Sequence, residues 1–315
     1  MFARFLLLPQ PALRHLVGAS IPGCAHACDP YGFALCAATL DGGGWTAHHN
    51  DIKYAFYNIA REAGLHTAME NTALFLSGLT RAQVLHLPEE FYERGRGYIP
   101  DLQIRLRDTD ASPPRLVDRL FDIKTLHVRQ NPEHPEAYTA GMTVDRRAEA
   151  VHRTIELKMR KADQRFFGTP TLPSGALGDG PLTLKLNSFG KVGGLVFGGI
   201  GEASREVQLL VDRLSDQAAQ TMAIRKGRVH LPQAQAEARA FNRERVAMAN
   251  LKGMAELLLN RVEHLTLPGA VRRESQDPRR FSHTDWRSAF DHMSRAASHA
   301  ERERIARRSN FSRSR

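Results

Sequence analysis

The chain has 315 residues and a mass of 35.2 kDa, with 42% of residues hydrophobic and 25% charged. This is globular composition, with enough apolar material for a sizeable core, so a wholly disordered chain is excluded. Lys and Arg number 44 against 34 Asp and Glu, a formal charge of +10, and no apolar run reaches the length of a membrane-spanning helix.

The excess charge is uneven. Val271 to Arg315 holds 12 Arg and 6 acids, which leaves +4 for the first 270 residues. A basic excess of this kind suits a polyanionic partner such as nucleic acid. At the N-terminus the apolar stretch Phe5 to Leu8 is too short for a secretory signal. Arg4 and Arg14 without an acid in the first 28 residues fit a transit peptide, but Ser and Thr are scarce there.

Three cysteines, Cys24, Cys28 and Cys36, fall within 13 residues. An odd and local set argues against a secreted disulfide framework. With His49 they supply the soft ligand types of a tetrahedral zinc site. Two readings stay open: a structural Zn²⁺ held by Cys24, Cys28, Cys36 and His49, or three reduced, partly buried thiols.

The elements follow in chain order. Asn50 to Ala63 carries Ile52, Ala55, Phe56, Ile59, Ala60 and Ala63 at helical spacing, and Gly64 stops it. Leu65 to Asn71 reads as a short strand. Thr72 to Gly97 reads as a long loop with one short helix. Tyr98 to Leu106 and Leu116 to Leu126 read as strands close enough to pair as a hairpin. Val144 to Phe166 is a long helix and Gly168 to Pro181 a loop. Leu182 to Leu186 and Val192 to Phe197 read as strands. Glu202 to Gln220 and Ala234 to Val262 read as helices, and the chain after Pro268 as a polar, Arg- and Ser-rich tail. The expected fold is α/β with a mixed central sheet in the order αβββαβ.

The chemistry concentrates at two strand ends. One is Ile99-Pro100-Asp101-Leu102 and the other Phe121-Asp122-Ile123-Lys124. On a strand Asp122 and Lys124 share a face, while Phe121 and Ile123 point to the core. Two carboxylates from neighbouring strands can hold a hard divalent cation, and a lysine beside them can stabilise developing charge on a phosphate.

Pro100-Asp101, 20 intervening residues and then Asp122-Ile123-Lys124 resembles the PD-(D/E)XK nuclease superfamily, and so does the αβββαβ order. The resemblance implies a restriction-endonuclease-like core that hydrolyses DNA phosphodiester bonds with Mg²⁺ or Mn²⁺. Asp101 and Asp122 would be metal ligands and Lys124 the catalytic lysine. Glu70 and Glu62 compete for the third acid, with Glu70 preferred. Lys158 and Lys161 on the long helix are candidates for a residue near the phosphate, or belong to a solvated face.

A narrower resemblance rests on Cys28-Asp29-Pro30-Tyr31-Gly32-Phe33-Ala34-Leu35-Cys36 and His49-Asn50-Asp51-Ile52. It is similar to the cysteine/histidine segment downstream of reverse transcriptases in retroelement open reading frames. There a His stands where Phe33 is and an Arg where His48 is. This implies descent from a mobile element. The resemblance covers roughly residues 24 to 200.

Other sites are set aside. The glycines from Gly190 to Gly201 spell neither a phosphate loop nor a dinucleotide fingerprint, so close strand–helix packing is expected of them. Ser188 lacks a nucleophile-elbow frame. His127 reads as a strand-end histidine. Arg225, Lys226, Arg228, Arg239, Arg243 and Arg245 either contact phosphates or form a solvated face.

The domain expectation is a Cys/His segment over 1–47, a nuclease-like core over 48–222, a helical extension over 223–268 and a basic tail over 269–315. The expected partner is DNA, or an RNA/DNA hybrid, met through basic surfaces and the Arg-rich tail, in a nucleus or nucleoid and without a membrane. The alternative is a catalytically inactive nucleic-acid-binding protein on the same fold.

Overall fold

The computed structural model describes residues 10–21, 24, 26–38, 44–71, 74–75, 79–85, 87, 99–108, 115–126, 140–226 and 230–266. Contacts divide the chain into a unit ending at Pro268 and a second from Gly269 to Arg315, and the second lies outside the described residues with the whole basic tail. His127 lies outside them too. Among the described residues no helix is long and apolar enough to cross a membrane.

A short 3₁₀ turn, Pro11–Leu13, precedes helix α1 (Phe33–Ala37) and helix α2 (Gly44–Glu62). Strand β1 (Thr67–Met69), short helix α3 (Arg81–Leu85) and strands β2 (Leu102–Asp108) and β3 (Arg115–Thr125) follow. Then come helix α4 (Ala140–Phe167), helix α5 (Pro181–Ser188), strand β4 (Gly193–Phe197), helix α6 (Arg205–Lys226) and helix α7 (Leu231–Thr266). The protein is mixed α/β. Its four strands lie in the order β1-β2-β3-β4, antiparallel as far as β3 and parallel between β3 and β4. The expected mixed sheet and the β2–β3 hairpin are both present.

Strand alternation sorts the core onto two faces. Ile104, Phe121, Ile123 and Phe197 pack against Ile52 and Phe56 of α2, Leu210 and Leu214 of α6 and Val246 of α7. On the other face Leu120 and Val196 pack against Val151, Ile155 and Met159 of α4 and Leu182 of α5. Gly194 of β4 lets α4 cross directly on the strand. A Cβ there would stand 2.6 Å from the Ala148 carbonyl oxygen and 2.7 Å from its Cα. The glycine-rich stretch is therefore a packing device, as its lack of a phosphate-loop pattern suggested.

Two boundaries correct the sequence reading. The strand expected from Tyr98 starts at Leu102, because Pro100 offers no N–H and the Asp101 side chain takes the Ile123 amide. Leu182 to Leu186 is not a strand but the middle of α5. Leu182 and Leu186 are fully buried one turn apart, whereas Leu184 is 60% exposed. Pro181 occupies the first helical position, and the cap is remote. Asp163 of α4, fully buried, accepts hydrogen bonds from the Leu182 and Thr183 amides at 2.9 Å each and from Thr183 Oγ1 at 2.7 Å.

The arginines of α7 resolve one open choice. Arg239 pairs with Asp216 at 2.7 Å, Arg243 with Asp212 at 2.8 Å and Arg245 with Glu62 at 2.5 Å. These three pairs link α7 to α6 and α2, and Arg243 stays exposed, on a solvated face as one of the two readings had it. The side chains of Arg225 and Lys226, and all of Arg228, lie outside the described residues.

Candidate active site

The sheet register lines the candidate acids up in one row. Met69 pairs with Leu102 and Leu102 with Phe121, so the next step along each strand sets Glu70 opposite Asp101 and Asp101 opposite Asp122. Asp122 in turn pairs with Gly194. The Glu70 amide donates to the Asp101 carbonyl at 3.1 Å, which holds the row at its first join.

Asp101 is buried and well partnered. His49 Nε2 donates to its Oδ1 at 2.9 Å, and the Ile123 amide donates to its Oδ2 at 2.6 Å. Burial pushes its pKa up, but the His49 and Ile123 hydrogen bonds, with the charges of His49 and Lys124, outweigh this and hold it below the usual carboxylate range. Asp122 is equally buried, with Lys124 Nζ 2.6 Å from its Oδ2. Burial first, and then repulsion from Asp101, push its pKa up, and Lys124 only partly offsets them. Lys124 itself is exposed. Leu120 and Val196, which share the face of Asp122 and Lys124, pack under α4, so the Asp-x-Lys pair projects toward the α4 side of the sheet.

Helix α2 supplies a second pair. His49 and Lys53 are one turn apart and therefore on one face. Lys53 is 4% exposed, although it sits within the apolar stripe of Ile52, Phe56 and Ile59, and its Nζ lies 2.5 Å from Glu70 Oε1. Glu70 is the described non-glycine residue with a left-handed backbone, φ 44°. That conformation ends β1 at once and leaves the carboxylate on Lys53. Lys53 is the residue the sequence reading missed. Its signal was a charge on the buried side of an otherwise regular amphipathic helix.

The structure separates the two candidates for the third acid. Glu62 lies at the far end of α2, about 20 Å along the helix from His49, and is committed to Arg245. Glu70 stands in the row, with its carboxylate held by Lys53. The cation reading passes a test of fit at Asp101 and Asp122. Two buried carboxyls stand at paired strand positions, and burial first, then the charge of Asp101, raise the Asp122 pKa. With no third acid or histidine gathered with them as a metal-holding group among the described residues, they would offer two oxygen ligands to a cation that keeps several waters.

The cysteine set is arranged differently from the expected four ligands. Cys28 and Cys36 are buried with Leu13, Leu16, Leu35 and Leu258, and Cys24 packs at the edge of that cluster. Burial, then the charges of Asp29 and Cys36, push the Cys28 thiol up to about 11. His49 points to Asp101 instead. Among the described residues, no group of three or more His, Cys, Asp and Glu gathers as a metal-holding set. Arg261 of α7 fastens this segment. Its guanidinium donates to the Leu35 carbonyl at 2.8 Å and to the Ala38 carbonyl, and lies 5.1 Å over the Trp45 ring.

In comparisons with known proteins, no family model, no curated protein and no solved structure matches this chain.

Proposed function

We propose that the chain is a divalent-metal-dependent DNA endonuclease on a restriction-endonuclease-like core of the PD-(D/E)XK type, derived from a mobile element. The row Glu70–Asp101–Asp122 across the sheet end, with Lys124 on the same face as Asp122, carries the reading. The sheet order and the parallel β3–β4 step support it. So does the charge of +10, which suits a polyanionic substrate.

Asp101 and Asp122 would hold Mg²⁺ or Mn²⁺. Bound there, the cation supplies polarisation of the scissile phosphate and a lowered pKa for attacking water. The chain's own residues do the rest. His49 and the Ile123 amide fix Asp101 as an ionised, oriented carboxylate. Lys124, ion-paired to Asp122 but exposed, is placed to meet the negative charge that builds on the phosphate as water adds to phosphorus and the P–O bond to the leaving sugar breaks. The departing alkoxide takes a proton from solvent. On this reading the protein acts where DNA is, in a nucleus or nucleoid.

One observation favours the second reading, a nuclease fold that binds without cutting. Glu70 is engaged by Lys53 and leaves two carboxylates, not three, at the centre of the row. Cleavage of supercoiled plasmid in Mg²⁺ or Mn²⁺ decides between them. Nicking or linearisation by the wild type, lost in both Asp122→Ala and Lys124→Ala, is the expected result. Cleavage that survives both substitutions, or none by the wild type while DNA still binds, overturns the proposal.

A further inference from the structure

Charge on α4 is sorted in part: four of its seven cations share one line, while Arg146, Arg153 and Arg160 lie about 100–140° from it, toward the acids. At about 100° per residue, Arg147, Thr154, Lys158, Lys161 and Arg165 fall within about 40° of one line along the helix. The four acids, Asp145, Glu149, Glu156 and Asp163, all fall about 160–200° from that line. Two of these acids serve the fold. Asp145 accepts the Arg205 amide at 2.7 Å, and Asp163 caps α5. Glu156 is bound by Arg160 at 3.1 Å. The apolar face, with Val151, Ile155 and Met159, lies between the two charged sides and packs on the sheet.

The basic line is exposed, and among the described residues none of its four cations is ion-paired to a carboxylate. The arginines of α7 behave in the opposite way, since Arg239, Arg243 and Arg245 are each spent on an acid. Arg165 rests over the Phe166 ring at 5.2 Å, but packing does not account for Arg147, Lys158 and Lys161, and solvation alone does not require that every acid avoid their side.

We infer that this line of α4 is a phosphate-tracking surface for duplex DNA. From Arg147 to Arg165 it is about 27 Å long, most of one turn of duplex. No aromatic residue falls on it, and single strands are gripped by bases stacking on aromatics. A straight row of cations without a stacking platform matches a duplex backbone and carries no sequence preference. The inference deepens the nuclease reading, on which its choice of DNA rests, but it concerns affinity and not the cutting step.

The test is fluorescence anisotropy of the full chain on a labelled duplex of about 25 bp, with EDTA, between about 50 and 200 mM salt. Each lost phosphate contact lowers the slope of log K against log salt by about 0.9, so Lys158→Gln with Lys161→Gln together lower it by about 1.8. The control pair is Arg14→Gln with Arg213→Gln, exposed residues of the N-terminal segment and of α6. The control carries the same charge change and leaves the slope where it was. Equal slopes for the two pairs, or no change in either, overturn the inference. Plasmid cutting by a protein whose slope ignores Lys158 and Lys161 sinks this inference and leaves the nuclease. Weakened binding in the α4 pair, without any cutting by the wild type, does the reverse.

Discussion

Asp101 and Asp122 face each other across the β2–β3 hairpin in opposite electrostatic states. Both are buried to a similar degree, at 8% and 6% exposure, so burial alone does not separate them. The difference lies in the donors. Asp101 accepts from His49 and from the Ile123 amide, whereas Asp122 has Lys124 and the repulsion of Asp101. Pairs of carboxyls pushed apart in this way are typical of sites that hold charge for a purpose.

A sign follows for stability. Asp101, with a depressed pKa, contributes stability above the ordinary carboxylate range and loses it as pH falls through its folded pKa. Asp122, with a raised pKa, does the opposite and costs stability as pH rises through its folded pKa. Asp122→Asn should therefore raise the Tm of the metal-free protein at neutral pH, by about 2–4 °C for each kcal/mol relieved. The gain should vanish in acid, where wild-type Asp122 is already neutral. Melting curves by circular dichroism across pH, in EDTA, check this. A lower Tm for Asp122→Asn at neutral pH would mean that the carboxylate is not under repulsion.

The Asp163 cap makes a prediction of stability without function. Asp163→Ala removes three hydrogen bonds from the start of α5 and leaves the Leu182 and Thr183 amides buried. The expected cost is about 2–3 kcal/mol, above an ordinary cap because the acceptor is a buried carboxylate. Denaturant unfolding measures it. Any plasmid cleavage shown by the wild type should be untouched at a permissive temperature, since α5 lies outside the row of acids.

How much was legible in the sequence follows from where each determinant sits. That Asp122 and Lys124 share a face was readable because strand alternation is local, and it placed Phe121 and Ile123 in the core as expected. α5 was misread because Leu182, Leu184 and Leu186 satisfy an alternating pattern, while the cap that makes them helical comes from Asp163, far back on α4. His49 was grouped with the cysteines by proximity in sequence. α2 begins at Gly44, earlier than the apolar stripe announced, and so carries His49 onto the Asp101 side. The roles of Arg239, Arg243 and Arg245 depend on Asp216, Asp212 and Glu62, partners that only the packing of α7 on α6 and α2 reveals.

Lys53 supplies the last prediction. It is a buried cation whose carboxylate partner, Glu70, is itself largely exposed. Losing the pair leaves Glu70 in water, so Lys53→Met exposes no uncompensated buried charge and should leave stability unchanged or raise it. Its effect on cation binding should be larger. Removing the positive charge from Glu70, at the first place in the row, favours a divalent ion there. Mg²⁺ titrated against Tm should then saturate at roughly three- to tenfold lower concentration in Lys53→Met, on the scale of one unit charge at protein-surface dielectric. Glu70→Gln should shift it the other way, because Lys53 then faces the row without its partner. If both variants titrate like the wild type, Glu70 and Lys53 do not act on the cation, and Asp101 and Asp122 alone define any site.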